Sequence, residues 1–439
     1  MGQYQYVGFG QSGNGPYLFT YQVNGTGQNG WVSLNMTNIL PSGFSQAQSV
    51  LGNQSGSTAQ YQNNYTTNQS QSNYTANGGI ASSLMACQNQ TYLTALPANL
   101  SSISSLSPIG NLNPPGHVIP SDHGSINLVS ASTLQATVYA PGNVHILQIV
   151  YQNSTQAGKH FSDYGVYFSP CKQLVFYYGH LDELSGALQQ QISNASKNAS
   201  CQSFQEPGLA SKTCTYHFDY MAKAGEVLGA AGGPNSNIKG FDFGGYDLRT
   251  STQAFIDQAR QVNNFGRPLN AICPVNYYTG ALYTELYSIM NNTAKGSNGY
   301  PSCGTDMEDI AGTIQGNWYL NGSAATGPAN SSQQMAIVHY YENPAIGVVS
   351  IGGVVAQASL NYFTPTSSGY INREPSQVTA DGHIYCYYQN NDNTPYGASP
   401  LTGYFLVQLV NTNTLKIEYQ NGACPQTPSS FSNPTIYVR

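Results

Sequence analysis

His117, His123, His180 and Asp242 are the side chains of this sequence best suited to chemistry, because imidazoles and carboxylates both move protons and bind metals. His123 opens the segment His123-Gly-Ser-Ile-Asn127, His180 closes Tyr178-Gly-His180, and Asp242 closes Gly240-Phe-Asp242. A zinc hydrolase needs three protein ligands, one position open to water, and a proton-transfer group beside that water. His123 and Asp242 are the candidate metal ligands and His180 is the candidate catalytic histidine. His117 stands beside a Pro-Pro turn, where it either approaches the same cleft or is simply exposed. Asp122 and Asp163 read as turn caps or as outer carboxylates that orient a histidine. His217-Phe-Asp219 has the alternation that puts two side chains on one face of a strand, but no nucleophile accompanies it. No Gly-x-Ser-x-Gly elbow, phosphate loop or His-Glu-x-x-His helix occurs.

These groups fall within residues 116–247, where apolar runs, Gly-rich turns and histidines follow one another. Residues 134–140 and 144–151 read as strands split by Pro141-Gly142, and 164–168 and 174–178 as two more. Leu181, Leu184, Leu188 and Ile192 recur at helical spacing, which predicts a short amphipathic helix directly after His180. Residues 218–221 and 227–228, parted by Lys223-Ala-Gly-Glu226, predict another strand pair, and 241–243 a last strand. Residues 251–311 read as a helical connector. There Leu282, Leu286, Ile289 and Met290 share a face behind a Thr279 N-cap, and Phe255, Ala259 and Val262 mark a weaker helix. From Gly312 onward six strand-like runs (335–339, 347–351, 384–388, 404–410, 415–419 and 435–438) suffice for a small sandwich or barrel, with Trp318 packed into it.

The order within residues 116–247 resembles the lysostaphin-type zinc endopeptidase domain, the duplicated hybrid motif β-fold. In that family the zinc ligands come from a His-x-x-x-Asp segment and the second histidine of a later His-x-His. Its catalytic histidines come from a Tyr-x-His segment and the first histidine of His-x-His. His123 stands at the first of these positions, but Asn127 replaces the acid. Tyr178-Gly-His180 matches the catalytic segment, while Gly240 replaces one histidine and Asp242 the other. The resemblance implies zinc as the one possible cofactor, held by His123 and Asp242. A neutral amide is a poor zinc ligand and glycine transfers no proton, so it also implies a polar cleft on a retained scaffold rather than a working peptidase. Residues 106–439 as a whole are similar to a family of secreted proteins in which a degenerate domain of this kind precedes a β-domain. That β-domain carries phrases like Gly312-Thr-Ile-Gln-Gly-Asn-Trp318 and Asp381-Gly-His-Ile-Tyr-Cys386. The likeness implies no established activity.

Composition bounds the setting. Charged residues make up 7% of the 439, and the net charge is −6, against roughly 25% charged in an ordinary soluble protein. No basic face for nucleic acid is encoded. With 34 Tyr, the chain reads as ordered and β-rich rather than disordered. A surface with so few ionisable groups changes little as pH falls, which fits either an acidic extracellular setting or plain compositional drift. Eight cysteines without a C-x-x-C pair read as disulfides, for which about 105 pairings are possible. The local pairs Cys201–Cys214, Cys273–Cys303 and Cys386–Cys424 are the first to test, leaving Cys87–Cys171 by elimination. Glycosylation sequons crowd the first part at Asn24, Asn35, Asn53, Asn64, Asn68, Asn73, Asn89 and Asn99. They continue at Asn153, Asn194, Asn198, Asn291, Asn321 and Asn330. Residues 1–20 lack the pattern of a signal peptide and read as a mature start, or as one whose leader Met1 replaced. No apolar run is long enough for a membrane span.

The expected fold is mainly β. A charge-free, glycosylated region (1–105) precedes a lysostaphin-like β-domain (106–250), a helical connector (251–311) and a C-terminal β-sandwich or barrel (312–439). In the first region residues 17–23 and 31–34 predict a hairpin or small sheet, and 43–79 a sugar-coated linker or an extended docking segment. The expected function is that of a secreted, glycosylated cell-surface protein, non-catalytic, that binds surface glycans or assembles with copies of itself into a layer or filament. The alternatives are a zinc endopeptidase acting on cell-wall peptide and a carbohydrate-binding module.

Overall fold

The structure, a computed structural model, describes residues 81–88, 91–129, 135–156, 159–206, 209–233, 238–250, 253–262, 268–291, 301–325, 329–390 and 401–439, and the backbone of 4–10, 17–23 and 29–34. The segment 43–79, read as linker or docking arm, lies outside the described residues, as do all the sequons from Asn24 to Asn89. The chain divides into two units, Met1–Tyr61 and Gln62–Arg439. In the first, β1 (Tyr4–Gly10), β2 (Tyr17–Val23) and β3 (Asn29–Leu34) form an antiparallel sheet in that order. The expected hairpin is β2–β3, paired from Tyr17↔Leu34 to Gln22↔Asn29, and β1 extends it.

The second unit opens with β4 (Ile103–Ser107), β5 (His123–Leu128), β6 (Ala136–Tyr139), β7 (Val144–Gln156), β8 (Lys159–Cys171), β9 (Leu174–Leu181) and β10 (Glu183–Leu184). Helix α1 (Gly186–Ala195) precedes β11 (Ser200–Glu206), β12 (Leu209–Ala222), β13 (Val227–Ala231) and β14 (Gly240–Asp247). An eight-stranded antiparallel sheet runs β11-β12-β7-β8-β9-β14-β5-β4, and a small sheet runs β10-β13-β6. Alternation along the large sheet separates two faces. Ile126, Ile149, Val166, Phe176, Tyr178 and Phe243 point into the main core, where Val138, Leu184, Leu228 and Ala231 of the small sheet meet them. Val150, Tyr167, Val175, Tyr177 and Tyr246 face the other way, and this second face carries the cleft.

The helix expected directly after His180 starts later. Leu181 lies on β9 and Leu184 on β10, and α1 begins behind Ser185, whose side chain accepts from the Leu188 amide. Leu181 and Leu184 reach the same core as Leu188 from strands, so their spacing imitated a helix. Between the sheets, α2 (Gln258–Val262), two short 3₁₀ turns and α3 (Gly280–Ser288) form the connector. Thr279 occupies the N-cap of α3 without a side-chain capping bond, and Leu286 and Met290 are buried.

The C-terminal part adds β15 (Gly316–Leu320), β16 (Gln334–Tyr340), β17 (Asn343–Ile351), β18 (Ser359–Phe363), β19 (Tyr385–Tyr388), β20 (Tyr404–Asn411), β21 (Thr414–Gln420) and β22 (Thr435–Val438). Their order, β18-β17-β16-β15-β22-β21-β20-β19, makes a nearly closed, barrel-like sheet. Its interior holds Trp318, Ile337, Val349, Phe363, Val407 and Ile417. The outer face of β16–β18 is also buried, by Leu112 and Tyr341 among others, which is why β16 and β17 read as apolar runs. Trp318 donates from its indole nitrogen to the Ile314 carbonyl (2.8 Å), and the Arg439 guanidinium lies 4.1 Å over its ring.

The four disulfides are Cys87–Cys171, Cys201–Cys214, Cys273–Cys303 and Cys386–Cys424. Their presence is consistent with an oxidising, extracellular compartment. Among the described residues no helix is long and apolar enough to cross a membrane.

Candidate functional site

β14 lies between β5 and β9, so Asp242 is opposite Ser125 on one side and Gly179 on the other. His123, Ser125 and Asn127 share the cleft face of β5, and Asp242, Gly244 and Tyr246 that of β14. Gly179 leaves room for the carboxylate: a Cβ there would stand 3.0 Å from Asp242 Oδ2. The next residue, His180, has φ of 62°, a left-handed backbone that is uncommon outside glycine, although histidine joins Asn and Asp among those that adopt it most, and that collects at functional sites.

The result is a chain of alternating acids and imidazoles. Asp122 Oδ1 meets His123 Nδ1 at 3.0 Å, and His123 Nε2 turns to Asp242 Oδ2 at 3.5 Å. From the other side His180 Nε2 approaches the same oxygen at 3.3 Å while its Nδ1 meets Asp163 Oδ2 at 2.5 Å. The Tyr246 hydroxyl donates to the free oxygen of Asp122 (2.9 Å), and the Ser125 hydroxyl donates to Asp242 Oδ1 (3.3 Å). Asp122 and Asp163 are therefore outer carboxylates. Tyr177 covers the floor. Its ring fills the space above Gly244, stacks between Tyr167 (5.1 Å) and Tyr246 (5.9 Å), and meets the His123 ring edge-on at 6.0 Å.

Burial opposes charge on all three histidines, and their neighbours decide the outcome. For His123 burial is outweighed by Asp242 and Asp122, and its pKa is raised; for His180 Asp242 and Asp163 raise it well above the ordinary value. Asp242, despite its burial, is held well below the carboxylate range by those two imidazoles. His117 goes the other way: burial, then the charge of His123, push it down to about 4. Its ring stands edge-on to His123 at 5.2 Å, so His117 does enter the cleft. Its surroundings favour the neutral form, whereas the carboxylates beside His123 and His180 favour the charged one.

The remaining positions of the expected set behave differently. Asn127 spends its amide on two serines of β4, donating to Ser105 Oγ (3.1 Å) and Ser107 Oγ (3.0 Å). A Cβ at Gly240 would come within 2.6 Å of the Ile126 carbonyl oxygen, so no histidine fits there without backbone movement. Tyr178 points into the core, its hydroxyl donating to the Tyr139 carbonyl (3.2 Å); the cleft tyrosine is its neighbour, Tyr177. His217 and Asp219 do not pair. A bulge separates them, and Asp219 Oδ1 meets His145 Nδ1 at 2.6 Å instead.

Asp306 was not foreseen. It is buried at 2% exposure, accepts from Gln253 Nε2 (2.7 Å), and has a pKa raised by burial and by Asp122. It comes from the connector, and no local pattern marks it. A second histidine site was also missed. His339 Nδ1 meets Glu308 Oε2 at 2.9 Å and Nε2 meets Glu374 Oε1 at 3.3 Å, joining the connector to the barrel.

Among the described residues, no group of three or more His, Cys, Asp or Glu is arranged to hold a metal ion. No protein-family model, curated protein or solved structure matches the chain.

Proposed function

We propose that this chain is an extracellular, glycosylated surface protein whose central sheet binds or assembles rather than hydrolyses. The observation that carries this reading is the closure of the cleft upon itself. Both imidazoles of the Asp122–His123–Asp242–His180–Asp163 chain face a carboxylate at each nitrogen, the Asn127 amide is spent on serines, and Gly240 lacks space for a proton-transfer side chain. A set whose charges and hydrogen bonds are satisfied internally is a structural network, not a poised nucleophile generator. Four disulfides support the extracellular setting. Abundant Tyr, Asn and Gln with few charges suit polar and aromatic contacts to glycans, or to copies of the chain in a surface layer or filament.

A second reading has its own observation. Both cleft histidines carry a carboxylate on Nδ1 and turn Nε2 toward one Asp242 oxygen, the way metal-bound histidines are oriented, and the His117 ring stands edge-on to His123 at 5.2 Å. Zinc held by His123 and Asp242 would have to enter between His123 Nε2 and Asp242 Oδ2, which now face each other at 3.5 Å. Metal analysis of the purified protein, beside an assay on cell-wall peptides, separates the two. Substoichiometric metal and intact peptides are expected; one equivalent of zinc that disappears in His123→Ala would overturn the first reading in favour of the second.

A further inference from the structure

We propose that Asn153, Asn194 and Asn198 carry N-linked glycans, and that these sugars cover one face of the long β7–β8–β12 ribbon, the face turned away from the histidine–aspartate cleft. The inference rests on the extracellular, glycosylated reading above and adds to it which face is shielded and which stays open to a partner.

The placement follows from strand alternation. On β7, Ile149, Tyr151 and Asn153 share one face and Val150 and Gln152 the other. Ile149 belongs to the main core together with Leu188 of α1. Gln152 lies opposite Asp163, the carboxylate that holds His180. Asn153 is therefore on the α1 side and Gln152 on the cleft side. Tyr151 stacks on Tyr164 at 4.7 Å on the α1 side, and Tyr164 is hydrogen-bonded to Gln189 of the helix. Asn194 sits in the last turn of α1, and Asn198 in the 3₁₀ turn Ser196–Asn198 that leads into β11. The Cys201–Cys214 bond pins β11 to β12, so the turn of Asn198 leads onto the ribbon beside the stretch of β12 that pairs with Tyr151 and Asn153. Each is complete: Asn153-Ser-Thr155, Asn194-Ala-Ser196 and Asn198-Ala-Ser200.

All three asparagines are exposed. Asn153 donates its amide only to the Tyr151 hydroxyl (3.1 Å), and Asn194 uses its carbonyl, accepting from Gln190 Nε2 (3.1 Å). Linkage to the amide nitrogen therefore breaks no buried bond. Asn330-Ser-Ser332 is the contrast. Asn330 is half-buried, and its Oδ1 accepts from both the amide (3.2 Å) and the hydroxyl (3.3 Å) of Ser332, capping a 3₁₀ turn. The sequon hydroxyl is thereby tied to the asparagine carbonyl.

Glycopeptide mapping by mass spectrometry of the protein from its source cells tests the inference. Expected are sugar-bearing peptides at Asn153, Asn194 and Asn198, an unmodified Asn330, and loss of one glycan mass from each of Asn153→Gln, Asn194→Gln and Asn198→Gln. Glycans at other sequons with these three bare would overturn the inference and leave the glycosylated reading standing, as would equal occupancy at Asn330. A chain without any glycan would overturn both.

Discussion

At Gly179, Gly240 and Gly244 the missing side chain is what lets neighbouring groups take their positions. Gly244 admits the Tyr177 ring, because a Cβ there would lie 2.3 Å from the ring carbons. Gly244→Ala is therefore expected to destabilise the fold by about 1–3 kcal/mol, the usual cost of overpacking, read as a lower denaturant midpoint. An unchanged midpoint would mean that Tyr177 moves aside freely. Gly240→His, which would put a histidine where the lysostaphin-type pattern has one, is expected to destabilise as well and to confer no peptide hydrolysis, since its Cβ meets the Ile126 carbonyl at 2.6 Å. Cleavage by that variant would show that the backbone there yields. Of the cleft, His123, His180 and Asp242 were legible because they stand in short segments of recognisable spacing. His117's approach, Tyr177 and Asp306 depend on which strand face or loop the fold brings round, and no local pattern encodes that.

Strands were easier to read than helices, and the reason lies in particular residues. Alternation or continuous apolar runs marked β7, β8, β16 and β20 because one or both faces are buried. Leu181 and Leu184 mimicked a helical repeat from two different strands. Strand β18 carries no clear pattern in the sequence, because Asn361 interrupts its apolar residues although it is buried, its amide donating to Ser359 Oγ (3.1 Å). The junction between connector and barrel carries the pH prediction. Burial opposes charge on His339, but Glu308 and Glu374 raise its pKa to about 10 from an ordinary 6.5. A raised value in the folded state stabilises fully below about pH 6.5 and is lost as pH rises through about 10. The denaturant midpoint is therefore expected to fall between neutral pH and pH 10, with a shallower alkaline fall in His339→Gln. Parallel curves for the two proteins would refute that assignment. Glu374, held low by the same histidine despite burial, acts in the opposite sense and loses its contribution only as acid protonates it.

For the molecule as a whole, stability comes from apolar strands and four covalent links rather than from surface charge. Cys87–Cys171 spans 84 residues of sequence and ties the segment before β4 to β8. Replacing both cysteines by serine is expected to cost about 2–4 kcal/mol, seen as a lower melting temperature; no change would mean that packing alone holds the segment. The few ionisable groups bear on acid tolerance too. Asp242 and Glu374 both sit below the ordinary carboxylate range, so their charges persist into acid, and a steep loss of stability on mild acidification would contradict the acidic-setting reading.

The tyrosine stack beneath the cleft gives the protein an optical handle. Tyr167, Tyr177 and Tyr246 are stacked and buried, with the His123 ring against the middle one. Rings stacked and buried in one asymmetric environment should show strong near-ultraviolet circular dichroism. The signal should change when a ligand or metal displaces His123, whereas the fluorescence of Trp318, enclosed in the barrel under Arg439 and read in a Trp31→Phe variant, should stay constant. Occupancy of the cleft and integrity of the barrel could then be followed separately, in one cuvette and without a label.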